Sequence, residues 1–199
     1  MKKKIKKAIV FILLFVLYFY RTLCLSKGLI SINFIILFDI FLLYIAYIVV
    51  KRSIYLDQKT KTYNVLKFKK DLKKRGKKNK KFMLCFIDIT CFKKINDQFG
   101  HDVGDNVLFY ISNNIKDISN SDIYRYGGDE FIVLIYKDFD ENLKKINEIN
   151  GFSINSSTKI YFSIGTSEYL VDSCNSEELL IIADKRMYHH KEEQHQNCI

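Results

Sequence analysis

The hydrophobic pattern divides the chain into two parts. Ala8 to Tyr20 is thirteen apolar residues without a charge, and Leu23, Cys24 and Leu25 extend it beyond Arg21. Leu29 to Val50 is apolar for twenty-two residues, interrupted only by Ser31, Asn33 and Asp39. A helix needs ~20 apolar residues to span a bilayer. The pattern therefore predicts spans over about 8–25, with Arg21 snorkelling, and 29–50, joined by a short link at Ser26-Lys27-Gly28. A secretory signal peptide is the rival reading of the first stretch, although no A-x-A-like cleavage site follows it.

From residue 53 onward the pattern is that of a folded domain. Residues 57–75 read as a basic helix, Phe82 to Asp88 as a buried strand and Asn96 to Gly104 as turn-rich. Asp105 to Lys116 has helical spacing, with Val107, Leu108, Ile111 and Ile115 on one face. Strands are expected over Asp122 to Tyr126 and Phe131 to Tyr136, then a helix over Glu141 to Ile149 and a strand over Lys159 to Thr166. Glu177 to Glu193 is the last helix, with Asn175 and Glu178 as a capping pair. The order β-α-β-β-α-β predicts an α+β fold with a ferredoxin-like core over 53–199, preceded by a two-helix transmembrane hairpin over 1–52.

Charge sharpens this division. The formal charge of +10 splits into +8 for residues 1–52, +10 for 53–81 and −8 for 82–199. Lysines within residues 2–7 and the pair Lys51-Arg52 predict that both ends of the hairpin face the cytoplasm. The lysine run up to Lys81 reads either as a contact with anionic headgroups or as a solvated helix face. An acidic folded domain excludes a nucleic-acid groove, which would need its cations there. Five cysteines, odd in number and without metal-ligand spacing, fit a reduced cytosolic domain with Cys85 and Cys91 as core or near-core fillers. Asp39 within an apolar span is costly unless paired: it could join helices across a dimer, meet Asn33 or Arg21 of a partner, or sit in a local water defect.

The candidate chemistry lies at Arg125-Tyr126-Gly127-Gly128-Asp129-Glu130-Phe131. Adjacent glycines between strands predict a tight hairpin, since only glycine takes positive φ without penalty. Bare backbone beside two carboxylates suits a metal-bound phosphate ligand. An ordinary solvated turn is the other reading, because Gly-Gly-Asp is common turn chemistry. Strand alternation sends Asp129 and Glu130 to opposite faces unless the turn twists them.

A second stretch, Asp88-Ile-Thr-Cys-Phe-Lys-Lys-Ile-Asn-Asp-Gln-Phe-Gly-His-Asp-Val-Gly-Asp105, completes a pattern. Together the two stretches resemble the GGDEF family of diguanylate cyclases, whose pattern D-x-D-x-F-K-x-I-N-D-x-x-G-H-x-x-G-D is met everywhere except Thr90. Ser163-Ile164-Gly165, Ala183-Asp184, Met187-Tyr188 and Lys191 match further, so the resemblance covers roughly 57–197. It implies condensation of two GTP into cyclic di-GMP with loss of pyrophosphate, by a homodimer using Mg²⁺ or Mn²⁺. Metal would be held by Asp88, Asp129 and Glu130, with Glu130 and Asp129 catalytic. Substrate would be bound by Asn96, Asp105, Phe92, Lys93, Gly127, Gly128 and Lys191. Asn96 and Asp105 are the implied guanine readers. Helix capping is the alternative role for Asp88 and for Asp105.

The departures are specific. Of the family's opening D-x-L-T-G-L-x-N-R-R-x-F only Asp57, Thr60, Asn64 and Phe68 survive, while Lys59, Lys61, Thr62, Val65 and Leu66 replace the rest. Gln194-His195-Gln196 stands where the family has G-R-N, which removes a bidentate phosphate fork. Ile118 and Ser121 stand where the family's R-x-x-D product site belongs; a one-residue deletion would align Asp122 but put Ser119 at the arginine. The segment between Phe131 and Ser163 also reads as shorter than the family's. Taken with the apolar runs and their flanking charges, the resemblance leads to the expectation of a cyclase anchored in the cell membrane with its domain in the cytoplasm. The alternatives are a catalytically weak GTP-binding or signalling module, and a small membrane scaffold.

Overall fold

A computed structural model describes residues 17–22, 26, 28, 32–118, 121–153 and 158–194. The chain forms two compact units, Met1–Ser53 and Ile54–Ile199.

In the first unit residues 17–22 are helical, and α1 (Ile32–Ile54) runs for 23 residues. The Arg21 guanidinium grips the Asp39 carboxylate with bonds of 3.0 and 2.8 Å, so the acid inside the apolar run is neutralised within one chain. Among the described residues no helix is long and apolar enough to cross a membrane. Asp39 lies within α1 and Lys51 and Arg52 in its last turn, and the expected transmembrane hairpin is not found among the described helices. Residues 1–16, 23–25, 27 and 29–31, which complete the first expected span and its link, lie outside the described residues.

The second unit is built on a mixed five-stranded sheet. Its strands are β1 (Tyr63–Asn64), β2 (Met83–Ile89), β3 (Ser121–Arg125), β4 (Glu130–Ile135) and β7 (Phe162–Glu168), in the order β1-β3-β4-β2-β7. Only the β1–β3 pairing is parallel; β3–β4, β4–β2 and β2–β7 are antiparallel. Without β1, this is the 4-1-3-2 order of a β-α-β-β-α-β core, as the pattern predicted. A two-stranded ribbon of β5 (Phe152–Ser153) and β6 (Lys159–Ile160) stands apart.

Both faces of the sheet are covered. On one face lie α3 (Phe92–Phe99), α4 (His101–Lys116) and α5 (Phe139–Ile149), where Ile95, Val107, Leu108, Ile111, Ile115 and Ile146 meet Cys85, Ile87, Phe131 and Val133. On the other lie α2 (Val65–Gly76) and α6 (Ser176–Gln194), where Phe68, Leu72, Leu179, Ala183 and Met187 meet Leu84, Phe86, Ile132 and Leu134. Successive residues of β2 therefore enter opposite cores, which explains a strand apolar at nearly every position.

Several boundaries differ from expectation for local reasons. The helix expected over 57–75 begins only at Val65, because the Asn64 side chain caps it by accepting from the N–H groups of Leu66 and Lys67. The turn-rich reading of 96–104 is corrected: α3 runs to Phe99, and α4 begins at His101 after Gly100 at φ 86°. The strand expected over 159–166 is split into β6 and β7 at Tyr161. Of the capping pair expected before α6, Asn175 does cap, its Oδ1 accepting from Glu177 N–H at 3.0 Å, but the Asn175 N–H donates to Ser173 Oγ, which in turn donates to Glu178. Cys85 is buried and free, but Cys91 is disulfide-bonded, which corrects the expectation of uniformly reduced cysteines.

Candidate active site

The site forms at one end of β2 and β4, on the α6 face of the sheet. Asp88 pairs directly with Glu130 across the antiparallel ladder, and the alternation that points Leu84 and Phe86 toward α6 points Asp88 the same way. Asp88 is 6% exposed, and Lys191 of α6 reaches it with Nζ 2.6 Å from Oδ1. Asp88 therefore caps no helix; the N-cap of α3 is Cys91, in the left-handed region at φ 57°.

Burial first, then the charges of Asp129 and Asp184, push the Asp88 carboxyl above the usual carboxylate range against the pull of Lys191. Glu130 is pushed up for the same reasons, burial first and then Asp88, Asp129 and Asp184. Four carboxylates thus lie within electrostatic reach of one another, with one ammonium among them. Carboxylate oxygens are the donors that a hard divalent cation takes. Among the described residues, however, no group of three or more His, Cys, Asp or Glu is gathered closely enough to hold a metal ion. The expected ligands Asp88, Asp129 and Glu130 are electrostatic neighbours rather than a closed cage, and Asp88 is paired with Lys191.

The hairpin differs from expectation in an instructive way. Neither Gly127 nor Gly128 has positive φ. Gly127 instead leaves room for the Glu130 carboxylate: a Cβ there would lie 2.3 Å from Glu130 Oε2 and displace it, whereas one on Gly128 would meet nothing within 4 Å. Gly127 thus lets the Glu130 side chain fold back across the turn, and Gly128 leaves bare backbone open to a ligand. Arg125 holds the turn from beneath. Its Nε donates to the carbonyls of Gly127 and Gly128 at 3.2 Å, its Nη2 to Gly128 at 2.6 Å, and its Nη1 to Asp57 Oδ1 at 3.1 Å. Sequence reasoning assigned no role to Arg125 or Asp57; their place in the matching motifs was the available signal.

The remaining expected residues line the α3–α4 corner. Asn96 sits over Gly104, where a Cβ would fall 1.9 Å from Asn96 Oδ1 and 3.2 Å from Phe92 Cζ, so a larger residue would displace the Asn96 side chain. Phe92 packs against the core below, and Lys93 stands exposed beside it. Asp105 lies inside α4 rather than at its start, which removes the capping role. Its Oδ1 receives Lys59 Nζ at 2.7 Å, a contact the sequence did not reveal. Near the expected product site, Ile118 is buried and Ser121 Oγ donates to the Ile118 carbonyl at 2.9 Å. Ser119, His195 and Gln196 lie outside the described residues.

Residues 54–197 match the family described as diguanylate cyclase, GGDEF domain. The probable diguanylate cyclase DgcI of Escherichia coli is 36% identical over 144 residues, which cover 70% of this chain and 31% of that protein. Diguanylate cyclase A of Treponema denticola is 33% identical over 127 residues, covering 59% of this chain and 34% of that protein. The chain therefore spans about a third of the length of these relatives. Among solved structures, the coiled coil and GGDEF domain of Caulobacter crescentus DgcB, in complex with c-di-GMP, superposes with a TM-score of 0.71. It is 22% identical, and the match covers 85% of this chain and 95% of that one. A GGDEF domain solved with cyclic di-GMP is 27% identical, with a TM-score of 0.63 over 72% of this chain and 94% of that one. With the family's acids facing each other at the strand ends and its motifs matched over most of the chain, this protein belongs to the GGDEF diguanylate cyclase domain family.

Proposed function

We propose that this protein is a diguanylate cyclase: two copies, each holding one GTP, join their substrates into cyclic di-GMP and release two pyrophosphates. The observation that carries this reading is the register pairing of Asp88 with Glu130 beside the open Gly128 backbone, with Lys191 on Asp88. Asp88, Asp129 and Glu130 would hold Mg²⁺ or Mn²⁺. When bound there, a divalent cation neutralises triphosphate charge and acidifies the attacking 3′-hydroxyl.

The chain's own residues supply the rest. Glu130, its pKa raised by burial and neighbouring acids, is suited to accept the 3′-hydroxyl proton. Lys191, held at Asp88 in this structure, is the ammonium that would donate to a phosphate oxygen of the bound nucleotide. Asn96 and Asp105 accept guanine's amino and N1–H donors, an arrangement adenine cannot satisfy. The reaction joins two GTP symmetrically, so the working form is a homodimer.

The N-terminal unit anchors the protein in the cell membrane, with the domain in the cytoplasm. Support comes from α1, whose Leu37 and Leu43 are 66% and 70% exposed, from the internal neutralisation of Asp39, and from the flanking lysines. A weaker, GTP-binding module is the second reading, favoured by the ammonium groups on Asp88 and Asp105. Purified full-length protein incubated with GTP and Mg²⁺ or Mn²⁺ decides between them. The proposal expects cyclic di-GMP from wild type and none from Asp129→Ala or Glu130→Ala; GTP binding without product would establish the module instead.

A further inference from the structure

Lys59 reaches the nucleotide corner from a turn that fixes its backbone. Asp57 Oδ1 accepts from Lys59 N–H at 3.1 Å, from Thr60 N–H at 2.9 Å and from Thr60 Oγ1 at 2.9 Å. Thr60 is buried and its hydroxyl meets that of Thr62 at 2.8 Å, while Lys61 takes φ 59°. Arg125 holds Asp57 from the hairpin side. Above this fixed turn the Lys59 side chain is 56% exposed and the Asp105 side chain 39%, so the ion pair remains open to a ligand. As an isolated surface bridge it would contribute little to stability. Its position gives it another use, because Asp105 shares the α3–α4 corner with Asn96 over Gly104.

The recognition edge of guanine presents an acceptor, O6, then two donors, N1–H and the N2 amino group. An ammonium beside a carboxylate presents a donor followed by two acceptors, the complementary order. Adenine carries an amino group where guanine has O6, and that amino group would meet the ammonium donor to donor. We propose that Lys59 is a specificity-determining residue of the nucleotide site, donating to guanine O6 while Asp105 accepts from N1–H and the amino group. The proposal rests on the reading of Asp105 as the guanine acceptor given above. Lys59 extends a two-point reading of the base to three points and ties base recognition to the turn at Asp57.

The test is equilibrium binding to full-length protein of α,β-methylene GTP, which cannot react at the α-phosphate, and of its 6-thio analogue. Sulfur at position 6 is a weak acceptor, while both donors remain. A charge-assisted hydrogen bond predicts that wild type prefers the oxo compound by about tenfold. Lys59→Met should lose that preference by weakening the oxo compound alone, and Lys59→Arg should retain it. Tighter binding of both compounds by Lys59→Met would mean that the lysine only plugs Asp105, and an unchanged preference would mean a mere surface bridge; either result overturns the proposal. Asp105→Ala separates the two levels. If it impairs binding of both compounds, the site reading stands and the Lys59 variants decide; if it leaves both unchanged, the site reading fails and the proposal falls with it.

Discussion

A single methyl group at Gly165 would test how the sheet carries the site. A Cβ there would lie 2.0 Å from the Ala183 carbonyl oxygen, 2.2 Å from Met187 N and 2.8 Å from Met187 Cα. All three are backbone atoms of α6, so no rotamer change relieves the overlap. Ordinary contact is about 3.5 Å, so α6 must withdraw by more than ~1 Å or β7 must buckle. Withdrawal opens the seam where Leu179, Ala183 and Met187 are buried. Overpacking costs about 1–3 kcal/mol, and a clash with backbone belongs at the upper end. At ~2–4 °C per kcal/mol for a chain of this size, the unfolding midpoint of Gly165→Ala should fall by roughly 6–12 °C. The same movement takes Lys191 away from Asp88, because a 2.6 Å bond cannot survive it. Activity should therefore fall even where the variant is fully folded. Thermal unfolding of full-length protein, with cyclic di-GMP formation measured well below the midpoint, reads both effects. A midpoint within ~1 °C of wild type would refute the packing argument. A lowered midpoint with full activity would refute the link to Lys191.

Three other outcomes follow from the site. Lys191→Met should leave Asp88 as an uncompensated, nearly buried carboxylate and cost about 2–3 kcal/mol near pH 7. Because the loss raises an already elevated folded pKa, the cost should vanish below pH ~4, where Asp88 is protonated in both states; a pH-independent loss of midpoint would exclude this. Glu130→Gln should abolish product yet raise the midpoint of nucleotide-free protein at pH 8 and not at pH 4, since a group with raised folded pKa withdraws stability as pH rises through it. No gain at pH 8 would mean that the crowded charges are already relieved. Arg125→Met should cost about 2 kcal/mol through loss of charge-assisted bonds to the Gly127 and Gly128 carbonyls and to Asp57; activity should fall with it, and a fully active variant would show that the turn holds itself.

The sequence was most legible where one residue type served one purpose. Alternation in β2 and helical spacing in α4 follow directly from burial, so both elements were readable to within a few residues. The Asp88–Glu130 pairing needed register, which no local pattern encodes, although the matching motifs named both acids. Asn96 to Gly104 was misread because Gly100 and Gly104 both suggest turns. In the fold Gly100 separates two helices, while Gly104 lies inside α4 to admit Asn96. The hairpin was misread in the same way, since positive φ was the expected reason for its glycines and neither has it; only Gly127 lies against the Glu130 carboxylate. Lys59 on Asp105 was invisible because 46 residues separate them and a lysine in a basic stretch carries no sign of its target.

The bond between Asp57 and Arg125 makes the hairpin's shape a property of a second, distant segment. Residues 68 apart in the chain share one guanidinium, which faces the turn carbonyls on one side and the domain's opening turn on the other. A pull or twist applied at residue 57 would therefore reach residues 127 and 128 through one side chain, without passing through the core. The opening turn acts as a lever arm for the site, with Arg125 as its pivot. The same lever sets where the domain can be cut: a fragment beginning after Asp57 would keep every strand of the sheet and both glycines yet lose the grip that shapes the loop between β3 and β4.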